Sequence, residues 1–216
     1  MKKKTVYFSI HHLPQWLLLF SLLVSNVLFP VAAMADTGVA PLKEVWVDDD
    51  YSSSNDGEHT WNYDAFNNIQ SGIDAVGADG TVHVAGGTYY ALHEGDTILV
   101  NKSVKLVGEG KDTTFVDGRY KNDSLYSYNS YPIFHITASN VSISGFTIQN
   151  SGSGDYGAIY VTNGASNITI EENIFKNNIG DLYIDGESGK VSQKITFSGN
   201  IVSSDNGDPS IETWAI

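Results

Sequence analysis

Three carboxylates stand in a row at Asp48, Asp49 and Asp50, at the exit of the apolar-alternating stretch Glu44-Val-Trp-Val. Adjacent acids leaving a strand offer hard oxygen ligands, which is calcium chemistry, and Asp56 and Glu58 lie close by in sequence. Their spacing departs from the Asp-x-Asp-x-Asp-Gly calcium loop, and a solvated acidic turn is the ordinary meaning of such a run. A second group is Tyr120, Tyr126, Tyr128 and Tyr131, set among Asn, Asp and Ser in one interval. Aromatic faces beside amides and hydroxyls suit neutral sugars, although such a loop can also fold back and cover a strand face with its rings. The chain's one arginine, Arg119, sits two residues from Asp117, and an exposed loop ion pair of that kind contributes under about 1 kcal/mol. Glu171 and Glu172 are neighbours at a strand corner and point in different directions, so they do not flank a substrate as paired catalytic carboxylates would. His59, His83, His93 and His135 share no metal-ligand spacing; His83 and His135 alternate with apolar residues and are expected to face outward from strands.

What positions these groups is a repeat. Asn140-Val-Ser-Ile-Ser-Gly-Phe-Thr-Ile-Gln-Asn150, Asn167-Ile-Thr-Ile-Glu-Glu-Asn-Ile-Phe-Lys-Asn177 and Lys194-Ile-Thr-Phe-Ser-Gly-Asn-Ile-Val-Ser-Ser204 are three copies of one pattern. Val141, Ile168 and Ile195 hold the same place in each copy and are equally spaced along the chain. A fixed period of this size marks a solenoid, in which each repeat buries its apolar face by stacking on its neighbours. Within a copy the apolar period is 2, so the repeat reads as two short strands around a polar kink. Asn173 and Asn200 share one corner position with Phe146, and Asn150 and Asn177 share another with Ser204; stacked Asn amides there could hydrogen-bond along the axis. Val104 to Val141 is a longer interval than the two that follow it, and the surplus falls in the tyrosine interval.

The first 35 residues hold no acid, begin with Lys2-Lys3-Lys4, run apolar from Trp16 to Phe29 and end on Ala33-Met34-Ala35. This is the pattern of a secretory signal peptide cleaved after Ala35, the alternative being an uncleaved anchor. The whole chain has 12 basic and 25 acidic residues; removing three lysines leaves 9 against 25, a charge of −16. Nucleic acid is excluded as a partner by that balance, and a polyanionic glycan would be repelled unless cations bridged it. Cysteine is absent and both methionines, Met1 and Met34, lie in the leader, so no disulfide supports the exported protein. Residues 36–63 are expected to form an N-terminal strand and loop, and 64–216 a solenoid opened by an amphipathic helix over 64–76. Asp64 would cap that helix, with Phe66, Ile69, Ile73 and Val76 on one face. The end at Ser210–Ile216 reads as a strand without a polar cap, which points to a truncated chain, a longer parent or end-to-end self-association.

Phe66 to Ala75, Asp79-Gly-Thr-Val-His-Val84, Gly87-Thr-Tyr89, Val100 to Val104 and Gly108 together resemble the N-terminal cap and first coils of right-handed parallel β-helix proteins of the pectate-lyase-like superfamily. Within it the chain is most similar to surface and periplasmic β-helix proteins related to the nitrous-oxide reductase copper-maturation factor. The resemblance spans about Val45 to Ser204 and implies an all-β, single-stranded parallel β-helix with an N-terminal capping helix. It implies no one activity, since such folds host many. Pectate-lyase-type enzymes use a basic residue beside calcium, a role that would fall on Arg119 with Asp117; the paired aspartates of the esterase and hydrolase branches have no match. The copper branch would need soft ligands, and the exported chain has no thiolate or thioether. The expectation is therefore an exported scaffold or carbohydrate-associated binding module of the cell surface, extracellular space or periplasm. The alternative is a polysaccharide lyase or glycoside hydrolase, and copper maturation ranks below both.

Overall fold

Alternation at period 2 sends Val141, Ile143, Ile168 and Ile170 to one side of the backbone and Ser142, Ser144, Thr169 and Glu171 to the other, which only a strand accomplishes. A computed structural model bears this pattern out over residues 40–91, 97–120, 131–152, 156–186, 194–203 and 211–215, which are the residues the structure describes. Residues 1–35, His93, Tyr126, Tyr128 and Ser204 lie outside them. Pro41–Ile216 form one compact unit.

The chain opens with β1 (Leu42–Val47), β2 (Ala65–Phe66), α1 (Ile69–Ala75), β3 (Val76–Val84), β4 (Gly87–Ala91) and β5 (Ile98–Val100). Then follow β6 (Val104–Gly108), β7 (Thr114–Tyr120), β8 (Phe134–Ile136), β9 (Val141–Ser144), β10 (Thr147–Gln149) and β11 (Ile159–Val161). The last are β12 (Ile168–Glu171), β13 (Ile174–Lys176), β14 (Leu182–Gly186), β15 (Ile195–Ser198), β16 (Ile201–Ser203) and β17 (Ile211–Ala215). They make three sheets, and from β3 on every third strand returns to the same sheet: β15-β12-β9-β6-β3-β1-β2, β16-β13-β10-β7-β4 and β17-β14-β11-β8-β5. All named pairings are parallel, and Val141↔Ile168↔Ile195 is the sequence period seen as register. The protein is thus all-β with parallel sheets. Each repeat has three strands where the sequence pattern suggested two; the third pairs Phe134↔Ile159↔Leu182, at intervals that are unequal and shorter than the period of the first sheet.

The inward residues form one core, including Val82, Val84, Leu106, Phe134, Ile143, Phe146, Ile148, Ile159, Ile170 and Phe175. Each fully buried aliphatic or Phe side chain contributes roughly 1.5–3 kcal/mol. Corners need backbone turned into the left-handed region, and they recur at the repeat period: Asn140 (φ 60°) and Asn167 (φ 58°) enter the first sheet, and Gly145 (φ 79°), Glu172 (φ 54°) and Gly199 (φ 63°) leave it. Asn173 turns its amide along the stack. Its Oδ1 accepts from Phe146 N at 3.0 Å and its Nδ2 donates to Ile143 O at 3.0 Å, while Asn200 Oδ1 accepts from Asn173 N at 2.9 Å. At the second corner the ladder residue is Asn178, with Oδ1 on Ser151 N and Nδ2 on Ile148 O. Asn150 and Asn177, expected there, instead supply the positive φ, 61° and 54°.

The helix is shorter than the apolar spacing over 64–76 suggests. Asn68, not Asp64, caps it, its Oδ1 accepting from Ser71 N at 2.8 Å. Asp64 Oδ1 takes Thr60 N, Ala65 and Phe66 pair with β1, and Val76 already belongs to β3. Strand pairing wins here because a parallel partner, β1, lies alongside. Gly72 approaches the sheet so closely that a Cβ would stand 2.6 Å from a Val47 methyl. Gln70 then satisfies the backbone of β5, the edge strand of the third sheet, with Oε1 on Leu99 N at 2.8 Å and Nε2 on Leu99 O at 3.3 Å.

Candidate functional site

Strands β8, β11 and β14 read Phe-His-Ile, Ile-Tyr-Val and Leu-Tyr-Ile. Their outer residues are apolar and their middle residues must then face away from the core, in one row because the register is Tyr160↔His135 and Tyr160↔Tyr183. His135 stacks on Tyr160 with ring centroids 4.8 Å apart, and Tyr160 meets Tyr183 at 5.5 Å, tilted by 52°. Tyr156, from the segment entering β11, lies across them at 5.3 Å from Tyr160 and 6.4 Å from Tyr183, and is 41% exposed. The Tyr160 hydroxyl donates to Asp185 Oδ2 at 3.1 Å, and His135 Nε2 is 2.8 Å from Thr162 Oγ1. Burial, with the Asp185 carboxylate second, pushes the Tyr160 hydroxyl up to about 12. Burial also lowers the His135 pKa, which keeps the imidazole neutral at pH 7. Asp181, buried just before β14, is raised by burial against the opposing effect of Asn178, whose Nδ2 donates to its Oδ1 at 3.1 Å. The face is therefore aromatic, with hydroxyls, one amphoteric imidazole and one carboxylate at its margin. Such a surface stacks and hydrogen-bonds through its rings, hydroxyls and imidazole.

In the sequence this row shows as three triplets with His or Tyr between apolar residues, a signal that the constant repeat interval does not bring out. The tyrosines singled out instead fare differently. Tyr120 ends β7, Tyr131 is 50% exposed just ahead of β8, and Tyr126 and Tyr128 fall outside the described residues.

Asp117 and Arg119 are not the exposed ion pair expected. Asp117 is buried, and its carboxylate takes Arg119 N, Nε and Nη2 at 3.0, 2.9 and 2.7 Å, with Gln149 Nε2 at 2.8 Å and Asn150 Nδ2 at 2.9 Å. Five donors on one buried acid form a knot between β7 and the end of β10. A guanidinium holding that carboxylate bidentately stays protonated and is poorly placed to act as a base.

Asp48, Asp49 and Asp50 do not converge. Asp48 Oδ1 accepts from Asp50 N at 3.0 Å, and Asp49 Oδ2 turns to Thr88 N on the edge strand β4 at 3.4 Å. Among the described residues no three His, Cys, Asp or Glu side chains gather as a metal cage. Glu172 is exposed and pairs with Lys111 at 3.3 Å. His83 is half-buried on the outer face of β3, stacked on Trp46 at 5.4 Å, and His59 stacks on Trp46 at 3.9 Å. Among the described residues, no helix is long and apolar enough to cross a membrane. Compared with known proteins, the chain matches no family model, no curated protein and no solved structure.

Proposed function

We propose that this protein is an exported, right-handed parallel β-helix with α1 as its N-terminal cap, serving as a scaffold or carbohydrate-binding module outside the cytoplasm. The glycan lies along the outward face of the third sheet. The observation that carries this reading is the aligned row His135, Tyr160 and Tyr183 with Tyr156 across it, partly open to solvent. Aromatic rings supply large apolar area while their hydroxyls stay wet, which is what a sugar with one apolar and one polar side needs. A rigid sheet holds the rings in register, so little conformational entropy is lost on binding. The lyase alternative would require Arg119 as a base, and its engagement with Asp117 favours binding over catalysis.

A glycan array probed with the 36–216 protein, with and without Ca²⁺, tests the reading, alongside a lyase assay for unsaturated product. Calcium-independent glycan binding, lost in Tyr156→Ala while the circular dichroism spectrum is unchanged, is the expected result. Binding unaffected by Tyr156→Ala, or turnover without retained binding, would sink it.

A further inference from the structure

Tyr156, Tyr160 and Tyr183 form a triangle with centroid separations of 5.3, 5.5 and 6.4 Å and mutual tilts of 52–73°. A cation seated over that triangle lies within about 6 Å of all three ring centroids, and each ring that turns its face toward the cation attracts it. The Asp185 carboxylate stands at the edge of the same triangle, tied to the Tyr160 hydroxyl at 3.1 Å. No lysine or arginine lies on β8, β11 or β14, so no fixed positive charge on these strands opposes a cation there. The protein's own balance, −13 for the whole chain, adds a long-range field of the same sign.

Resting on the glycan-binding reading, we infer that the Tyr156–Tyr160–Tyr183 triangle with Asp185 is a subsite for a protonated amino sugar, so that the preferred glycan carries free amino groups instead of N-acetyl groups or uronates. Two independent physical terms act on the ammonium: the negative ring faces turned toward it, and the carboxylate beside them. An N-acetylated sugar keeps the ring stacking and loses both. A uronate brings a charge that Asp185 repels.

Isothermal titration of the 36–216 protein with four probes separates the possibilities: oligomers of glucosamine, of N-acetylglucosamine, of neutral glucose and of galacturonate. The glucosamine oligomer is expected to bind about tenfold more tightly than its acetylated counterpart. Asp185→Asn should erase that preference while leaving the weaker binding of the acetylated oligomer in place. Tyr156→Ala should weaken both. Glu171→Gln, an exposed acid on the first sheet, serves as the control for general charge attraction and should change nothing. Equal affinity for the acetylated and free-amine oligomers would overturn the amino-sugar subsite and leave the glycan face standing. An equal loss in Asp185→Asn and Glu171→Gln would also overturn it, by showing that overall charge alone draws the ligand. Binding of none of the four by a folded protein would remove both the subsite and the glycan reading.

Discussion

At the scale of single residues, the outward face is tuned by burial and by one carboxylate. The Tyr160 phenol is pushed to about 12, with Asp185 among the causes, so Asp185→Asn should bring its ionisation back toward 10, measurable by ¹³C NMR of labelled tyrosine. A raised folded pKa means that this stabilising contribution is complete below pH 10 and lost as pH climbs through about 12. His135 is the opposite case. Its pKa is depressed by burial, so stability is full above about 6.5 and declines as pH falls below it. His135→Gln should flatten that acid-side slope in thermal unfolding followed between pH 7 and 5. Asp117 carries the largest single-residue prediction. Asp117→Ala leaves the buried or half-buried donors of Arg119, Gln149 and Asn150 without their acceptor, and about 3–5 kcal/mol of stability should be lost in denaturant unfolding. The sequence placed Asp117 beside Arg119 correctly but could not show the burial, because Gln149 and Asn150 arrive from 32 and 33 residues away.

At the scale of elements, corners and edges decide what the repeat can be. Asn173 serves Phe146 N and Ile143 O in the preceding repeat, so Asn173→Ala strands two buried backbone groups and should cost about 2–4 kcal/mol. Glu172 adopts φ 54° where Gly145 and Gly199 stand in the neighbouring repeats. Glu172→Gly should therefore raise stability by up to about 1 kcal/mol, since the Lys111 pair it gives up is worth less than the left-handed strain relieved. Chemical denaturation of both variants gives opposite shifts in midpoint. The first two sheets were legible from the chain because their strands return at one constant interval, as Val141, Ile168 and Ile195 do in the first and Thr147, Ile174 and Ile201 in the second. The third was not, because Phe134, Ile159 and Leu182 are unequally spaced, and a three-residue strand gives too short an alternation to stand out. The proposed ligand face lies on that irregular sheet. The helix was legible as an element, while its start was not: Phe66 fits a helical face by spacing, yet Ala65 and Phe66 pair with Trp46 and Val47.

At the scale of the whole molecule, charge and architecture point the same way. A chain with 25 acids and 12 bases, lacking cysteine, draws its stability from a stacked core and repels anionic polymers. A polyuronate substrate, which the pectate-lyase-like resemblance would suggest, fits this surface worse than a neutral or amino-bearing glycan. At the N-terminal side of the fold, Gln70 and Asp49 cover the edge strands β5 and β4 with side-chain hydrogen bonds. Removing one such cover, with Gln70→Ala, should lower stability by about 1–2 kcal/mol and increase self-association in sedimentation velocity. The central claim, that the third sheet's outward face is the ligand surface, is tested most directly by titrating a glucosamine oligomer into protein with ¹³C-labelled tyrosine and histidine rings. The account predicts shifts concentrated on Tyr156, Tyr160, Tyr183 and His135, with Tyr51, Tyr63 and Tyr89 unmoved. Saturable binding that shifts Tyr51, Tyr63 or Tyr89 and leaves those four rings untouched would contradict it.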